Sequence, residues 1–308
     1  MNGDIYSAIE DVQARAVEQD PQQDFDKEKW AEGKRLERDA LFERADRATE
    51  KVMNDPAALK DYLSVLARFP KHSARNALLI FDQSKDASRV MSFEGWKAEG
   101  VSIKKGQHAI SILVPGDEYP RDDGSVGTSF NVRKVFDASQ TTARHLEPRY
   151  PDTNSALLAL IKSSPADIKV VDEHAQVENV RFDFDTSTIT VVKGLEPEVI
   201  FKELAKEIAH ADIARESGAF DRNLQAEDAA LAGYVVAKRF GIDVSDQVPV
   251  LSSTFGEEPL KEVRAQLSRV RDSAKAITDR MDGAIEAQKV QTSGTKQKSA
   301  RGANNEAR

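Results

Sequence analysis

Hydrophobic residues recur along the chain at two spacings, one typical of helices and one typical of strands. Steps of three and four residues predict amphipathic helices, and alternation predicts half-buried strands. Helices are predicted over residues 27–52, 56–69, 74–83, 93–96, 155–161, 199–210, 225–240 and 260–286. Strands are predicted over residues 109–114, 130–136, 168–171, 180–184 and 189–191, the last two as a hairpin. This mixture of helices and hairpins predicts an α+β fold.

The order of these elements divides the chain into segments, and its 308 residues are enough for two domains. The first is a small module of helices and antiparallel strands over residues 27–150, led by a charged helix. A new series of helix and strand signals begins after residue 150. It predicts a second α+β module over 151–255, followed by a long C-terminal helix over 256–287. Residues 1–26 and the basic tail 288–308 are poor in hydrophobic side chains. The first is therefore predicted to be weakly ordered and the second disordered.

The C-terminal helix carries one continuous hydrophobic stripe. Its members are separated by alternating steps of four and three residues, the spacing of a coiled-coil seam. They are Val263, Leu267, Val270, Ala274, Ile277, Met281 and Ala284. The sequence leaves open whether this stripe packs on the rest of the chain or on a protein partner.

Charge is unevenly distributed along the chain. The net charge is −8, yet residues 51–114 hold ten Lys and Arg against six Asp and Glu, a local charge of about +4. Residues 1–50 hold eight basic and fourteen acidic side chains. An acidic protein that binds a polyanion must concentrate its cations in one region, because the rest of its surface repels the ligand. Any nucleic-acid site is therefore expected near residues 51–114.

Other features of composition narrow the class of protein. The chain contains no cysteine, which excludes disulfides and thiolate metal sites and agrees with a reducing cytoplasm. No apolar run approaches twenty residues, so no membrane segment is predicted. The acidic N-terminus lacks the apolar core of a secretory signal. The expected location is the cytoplasm.

The stretch 203–210 carries the most specific chemical signal. Lys206 and His210 lie four residues apart on one predicted helix face, with Glu207 beside them, and Glu227 follows on the next helix. A zinc peptidase carries His-Glu-x-x-His on such a helix, with two imidazoles for the metal and a Glu as general base. A protonated lysine has no lone pair for a metal. Two interpretations stay open: a zinc site with an unusual ligand set, or a Lys206 ammonium that neutralises Glu207 or Glu227 where the metal would sit.

Basic residues in the first module form two clusters. Lys71 and Arg75 flank the start of a predicted helix, and Lys104 and Lys105 lie in a predicted turn. Such clusters can follow the phosphates of a nucleic-acid strand, and they are also common on ordinary surfaces. Trp96 is either a stacking platform for a base or a core residue.

Several segments together resemble the ArdC family of antirestriction proteins, which are carried by plasmids, phages and conjugative elements. In the first module they are Ser-Ala-Arg-Asn-Ala-Leu-Leu at 73–79, Phe-Glu-Gly-Trp-Lys at 93–97, Lys-Lys-Gly at 104–106 and Val-Phe-Asp-Ala-Ser-Gln-Thr at 135–141. In the second they are Lys-Glu-Ile-Ala-His at 206–210 and Ala-Glu-Asp at 226–228. The resemblance spans roughly residues 55–245 and keeps the order of the family.

The resemblance implies a single-stranded DNA-binding first module and a zincin-like second module. Glu207 matches the general base, His210 and Glu227 match the second and third metal ligands, and Lys206 stands at the first ligand position. The implied peptidase is therefore degenerate. The nucleic-acid-binding candidates are Lys71, Arg75, Asn76, Trp96, Lys104 and Lys105.

The sequence therefore predicts a single-stranded DNA-binding, antirestriction-like protein of a plasmid or phage that has lost its catalytic metal and needs no cofactor. One alternative is an active zinc metallopeptidase with an unusual ligand set. The other is a non-enzymatic interaction protein that uses the acidic N-terminal helix and the C-terminal helix. Bound zinc separates the first alternative from the prediction, and salt-dependent oligonucleotide binding separates the second.

Overall fold

The computed structural model describes residues 26–144, 149–172, 178–251, 256 and 258–305, with side chains described as far as residue 288. Apart from Asp26, the N-terminal segment predicted to be weakly ordered lies outside the described residues. The chain divides into two units, residues 1–40 and 41–308. The described part of the first unit is the first half of a helix, which carries internal ion pairs such as Lys34 with Glu37.

Three helices open the described chain: α1 (Lys27–Asn54), α2 (Pro56–Arg68) and α3 (Ala74–Ser84). Asp55 begins α2 because its carboxylate accepts a hydrogen bond from the N–H of Ala57, and Pro56 fits the first turn. Ser73 begins α3 in the same way, by accepting from the N–H of Asn76. Both caps fix the entry of the chain into a helix whose apolar face is buried.

A three-stranded antiparallel sheet follows. Its strands are β1 (Val90–Met91), β2 (Ile110–Pro120) and β3 (Val126–Asp137), in the order β1-β3-β2, with the short helix α4 (Phe93–Ala98) between β1 and β2. Strands β2 and β3 extend beyond the limits predicted at residues 114 and 130. The outer parts carry mostly exposed side chains, so the alternation of apolar and polar residues that predicts a half-buried strand is missing there. Backbone hydrogen bonds between the two strands maintain this part of the hairpin.

The second sheet is also three-stranded. Strand β4 (Asp167–Val171) runs parallel to β6 (Thr188–Val192), and β5 (Val180–Asp183) runs antiparallel to β6, in the order β4-β6-β5. The hairpin predicted from alternating residues is therefore confirmed. Helix α5 (Thr153–Lys162) precedes this sheet.

Two packed helices, α6 (Pro197–Ser217) and α7 (Arg222–Arg239), follow the second sheet. They approach closely at Gly233, where an added Cβ would lie 2.9 Å from the backbone nitrogen of Lys206. Glycine at this position thus sets the spacing of α6 and α7 beside the candidate site. Strand β5 forms the free edge of the sheet on the side of α6.

The last helix, α8 (Pro259–Asn305), packs against α3, α5, α6 and α7. Its stripe from Val263 to Met281 is fully buried on these helices, which answers the question that the sequence left open. The helical backbone also continues past residue 287, where its end was predicted, into the segment predicted to be disordered. Extending an existing helix adds one backbone hydrogen bond per ordered residue, so the composition of 288–305 does not by itself end it.

The α+β class predicted from the sequence is confirmed. The main hydrophobic core joins Leu63, Leu160, Phe201, Val236 and Leu267, and so it runs through both predicted modules and the C-terminal helix. A smaller cluster holds Leu41, Ala45, Leu79 and Leu113. In the described parts of the chain, no helix has the length and apolar character needed to cross a membrane.

Candidate functional site

Lys206 lies on α6 between two carboxylates. Its Nζ donates a hydrogen bond of 2.7 Å to Glu203 Oε2 and lies 3.8 Å from Glu207 Oε1. The interpretation that Lys206 neutralises Glu207 is therefore confirmed at ion-pair distance. The shorter contact goes to Glu203, one turn earlier on the same helix.

Glu207 is fully buried and makes a paired contact that the sequence did not predict. Arg222, at the start of α7, donates from Nη1 to Oε1 at 3.1 Å and from Nη2 to Oε2 at 2.8 Å. The N–H of Phe182 on β5 donates to Oε2 at 2.8 Å. The carbonyl of Phe182 accepts from Arg222 Nη2 at 2.8 Å. Glu207 and Arg222 therefore satisfy the free edge of β5 as a neighbouring strand would.

This arrangement decides the protonation of Glu207. Burial alone raises the pKa of a carboxyl group, but the hydrogen bonds from Arg222 and from the Phe182 N–H outweigh it and hold the pKa of Glu207 below its ordinary value. The carboxylate is therefore charged near neutral pH, with both oxygens occupied. A general base needs access to the proton that it removes, and this carboxylate has none.

His210 is buried one turn further along α6, with 2% of its surface exposed. Its ring packs edge-on against Phe220 at 5.5 Å between centroids, and its Nδ1 has no hydrogen-bond partner among the described residues. Burial, together with the positive charges of Arg222 and Lys206, lowers the pKa of His210 to about 4 although Glu207 acts in the opposite direction. The imidazole is therefore neutral near pH 7.

Acid is expected to destabilise the fold through His210. Its pKa in the folded chain is about 4, and the ordinary histidine value is about 6.5, so the unfolded chain binds more protons between these pH values. Stability should fall by about 3 kcal/mol as pH drops through this window. Denaturant titrations at pH 7.5 and pH 4.5 should show that His210→Leu removes this part of the loss. The same substitution at the exposed His108 should leave the acid-induced loss of stability unchanged. If His210→Leu shows the same loss as the unchanged protein, the attribution of this loss to His210 is contradicted.

Glu227, the third ligand implied by the resemblance, lies on α7 and accepts a hydrogen bond of 3.1 Å from Gln266 on α8. In the described ranges, no three His, Asp or Glu side chains lie close enough together to hold a metal ion. Lys206 offers an ammonium at the first ligand position, and Arg222 occupies both oxygens of Glu207. This donor set does not fit a catalytic zinc.

Asn76, a nucleic-acid candidate, is buried and covers the edge of the first sheet. Its side chain donates to the carbonyl of Leu113 at 2.7 Å and accepts from the N–H of Leu113 at 2.9 Å. Gln83, two turns later on α3, makes the same pair of bonds with Ser111. The two amides thus protect the free edge of β2. Both polar atoms of the Asn76 amide are therefore engaged with the backbone of Leu113.

Trp96 is a core residue. Its ring has no exposed surface, its Nε1 donates to the carbonyl of Phe136 at 2.8 Å, and the guanidinium of Arg89 lies 5.1 Å from the ring centre. A nucleobase cannot reach this ring without unpacking α4. Of the two interpretations of Trp96, the structure supports the core residue.

In the described part of the chain, none of the four predicted cations forms an ion pair with a carboxylate. Lys71 and Lys105 are exposed and make no ion pair or hydrogen bond within the described chain, and Lys104 Nζ donates to the carbonyl of Ser139. Arg75 is half-buried, with its guanidinium 5.0 Å from the ring centre of Phe42.

Arg75 and Lys104 lie at separate places along β3. The guanidinium of Arg75 lies 6.0 Å from the ring centre of Phe130, and Lys104 Nζ donates to Ser139 in the turn that follows Asp137. Phe130 and Asp137 are seven steps apart on the strand, which corresponds to about 23 Å at 3.3 Å per residue. The structure therefore does not gather the candidates into one patch, and a ligand that meets both groups must be extended.

Comparison with known proteins gives the following similarities. No family profile matches the chain. An uncharacterized protein of Bacillus anthracis is 23% identical over 291 residues, which cover 76% of this chain and 49% of that protein, so the chain spans about half the length of the curated relative it matches.

Two crystal structures of the antirestriction protein ArdC from plasmid R388 are similar in fold. The metal-free structure gives a TM-score of 0.48 at 14% identity and covers 79% of this chain and 98% of ArdC. The Mn(II)-bound structure gives a TM-score of 0.46 at 14% identity and covers 71% and 97%. Both are structures of the family that the sequence motifs resemble.

Proposed function

We propose that the chain is a single-stranded DNA-binding protein of the antirestriction type, encoded by a mobile element, in which residues 27–150 provide the DNA-binding module. The zincin-like module over 151–255 is without catalysis in this proposal. The motifs shared with the ArdC family motivate it. The observation that carries it is the absence of any carboxylate partner for Lys71, Arg75, Lys104 and Lys105 in the described chain.

In a protein whose net charge is −8, cations that form no ion pair indicate where an anionic ligand could bind. Arginines elsewhere in the chain, such as Arg44, Arg264 and Arg269, pair with aspartates on neighbouring helices. The candidate cations instead leave their charge available to an external polyanion. Phosphates of an extended single strand supply such charges at regular intervals, and their binding is independent of sequence.

The peptidase alternative conflicts with the contacts of Glu207. Its carboxylate is bound on both oxygens and has no route to a substrate or water. The edge of β5, where an extended peptide could add as a strand, is closed at Phe182 by Glu207 and Arg222. The second module is therefore better suited to a structural role.

The interaction-protein alternative would use the acidic N-terminal helix and the C-terminal helix, and burial of the hydrophobic stripe weighs against the second of these surfaces. The hydrophobic stripe of α8 was the sequence feature offered to a partner helix, and it is buried against the chain's own helices. Exposing it would open the main core, in which Val263 and Leu267 take part.

The double charge reversal Lys104→Glu/Lys105→Glu tests the proposal in the full-length chain. We expect it to weaken binding of a fluorescein-labelled oligothymidylate and to reduce the dependence of affinity on salt, because two phosphate contacts become repulsive. Fluorescence anisotropy titrations at several salt concentrations measure both quantities.

The matched control is Lys162→Glu/Lys169→Glu, which changes the net charge equally at exposed positions in the second module. It should reduce affinity far less, since only long-range repulsion is altered. Equal losses in the two variants would show that net charge alone governs binding and would remove the first module as the site.

A further inference from the structure

A cavity of about 240 Å³ lies where α3, the first sheet and α8 meet. Its wall holds two arginines, Arg75 and Arg264, the polar residues Ser73, Asn76 and Ser268, and apolar residues such as Phe130. No carboxylate lines it. This volume is slightly below the range of typical small-molecule sites, and it has room for a phosphate group.

Arg75 is held in the cavity wall by two aromatic rings. Its guanidinium stacks 5.0 Å from the ring centre of Phe42 and 6.0 Å from that of Phe130, and these two rings pack edge to face. Burial and the neighbouring Arg264 lower the pKa of Arg75 although Asp46 acts in the opposite direction, and a guanidinium stays protonated at neutral pH. Within the described residues it makes no hydrogen bond or ion pair, so its N–H donors have no acceptor there.

Arg264 supplies the second cation, from α8. Its Nη1 pairs with Asp46 Oδ1 at 2.5 Å, so one of the two arginine charges is balanced. The net charge around the cavity is then about +1, and the N-terminal N–H groups of the eleven-residue helix α3 add a partial positive charge. This total matches the single negative charge of a phosphodiester.

We propose that this cavity anchors one backbone phosphodiester of the bound strand, between Arg75 and Arg264. The inference rests on the proposed function and adds that the C-terminal helix, which lies outside the predicted DNA-binding module, completes the site. Binding therefore needs the full chain. Each arginine can donate to one of the two non-bridging oxygens of the phosphodiester, and Phe130 forms the apolar wall beside them.

The stability of variants separates this role from a structural one. The charge of Arg75 is attracted by the Phe42 and Phe130 rings and by Asp46, and it is repelled by Arg264, so these contributions partly cancel. Arg75→Gln should therefore cost no more than the roughly 1 kcal/mol of a partly exposed cation–π contact. A cost above about 3 kcal/mol would show that Arg75 is a structural residue, and the inference would fail.

The binding test uses the full chain, labelled oligothymidylate and fluorescence anisotropy at 50 mM salt. Arg75→Gln and Arg264→Gln should each weaken binding about tenfold or more, as expected for a lost charge-assisted hydrogen bond, and should reduce the salt slope by about 0.7. Arg269→Gln, an exposed position on α8 paired with Asp228, is the matched control and should stay within about twofold.

The outcomes distinguish the cavity from the proposed function. If the unchanged protein binds the oligonucleotide but both cavity variants bind equally well, the cavity is not the anchor while DNA binding stands. If the unchanged protein does not bind at all, both fail. Competition by millimolar deoxythymidine monophosphate would show that the cavity takes free nucleotides, which overturns the assignment to a strand. We expect no such competition.

Discussion

Replacing Arg222 by alanine should cost about 3–5 kcal/mol of folding free energy, the loss typical of removing one partner of a buried ion pair. The substitution leaves the carboxylate of Glu207 buried with only the Phe182 N–H at 2.8 Å and the Lys206 ammonium at 3.8 Å. It also leaves the carbonyl of Phe182 without its donor. Urea denaturation followed by circular dichroism measures the change.

The control for this prediction is Arg181→Ala, which breaks an exposed pair with Glu178 and should cost less than about 1 kcal/mol. The loss in Arg222→Ala should also depend on pH. The lowered pKa of Glu207 means that the pair contributes fully above the ordinary carboxyl value of about 4.3 and is lost as pH falls through the folded value. A cost near that of Arg181→Ala at pH 7 would show that Glu207 does not depend on Arg222.

Asn76→Ala should destabilise the chain by about 2–4 kcal/mol, because the N–H and the carbonyl of Leu113 both lose their partner in a buried position. The equivalent change at Gln83 should cost less, since Gln83 is half-buried and water can replace its bonds to Ser111. Thermal and denaturant unfolding measure both variants.

Oligonucleotide affinity gives a second readout for Asn76. At a temperature where the variant stays folded, we expect its affinity to match that of the unchanged protein, because the amide is engaged with the sheet edge. A selective loss of affinity without loss of stability would restore Asn76 as a DNA contact.

Local patterns were sufficient to predict most elements of the fold, although the two-residue strand β1 was missed. Alternation at Val180, Phe182, Ile189 and Val191 gave the hairpin, because the period of two survives in a half-buried strand. Asp55 and Ser73 predicted helix starts because a capping side chain accepts a hydrogen bond from a backbone N–H only two or three residues later. The seam on α8 was visible, but what covers it depends on helices far apart in sequence.

The roles of site residues were harder to predict because they depend on distant partners. Asn76 has the amide and the position of a DNA contact, and only the nearness of β2 shows that it protects a sheet edge. Arg222 carries no sequence signal of its own. It follows a capping Asp221, and its pairing with Glu207 is created by the packing of α6 on α7. Arg264 was missed because its charge lies outside the segment with local excess charge.

The sequence predicted one of the cationic contacts of Glu207, from Lys206, and missed the other, from Arg222. The chemistry of an ammonium was enough to predict an ion pair with Glu207 or Glu227, and Glu207 is the one found, at 3.8 Å. The larger electrostatic partner of Glu207 was not foreseen. In the proposed function the second module is zincin-like, and Lys206 and Arg222 balance the buried charge of Glu207 there without a metal.

The most direct test of the account is the affinity of the full-length chain for a labelled single-stranded oligonucleotide, measured at 50 and 200 mM salt with and without a metal chelator. Three or four phosphate contacts should weaken binding about 20-fold to 50-fold between these salt concentrations. The chelator should change nothing, because no metal takes part. Binding that is absent at 50 mM salt, or that appears only when divalent metal is supplied, would contradict the account.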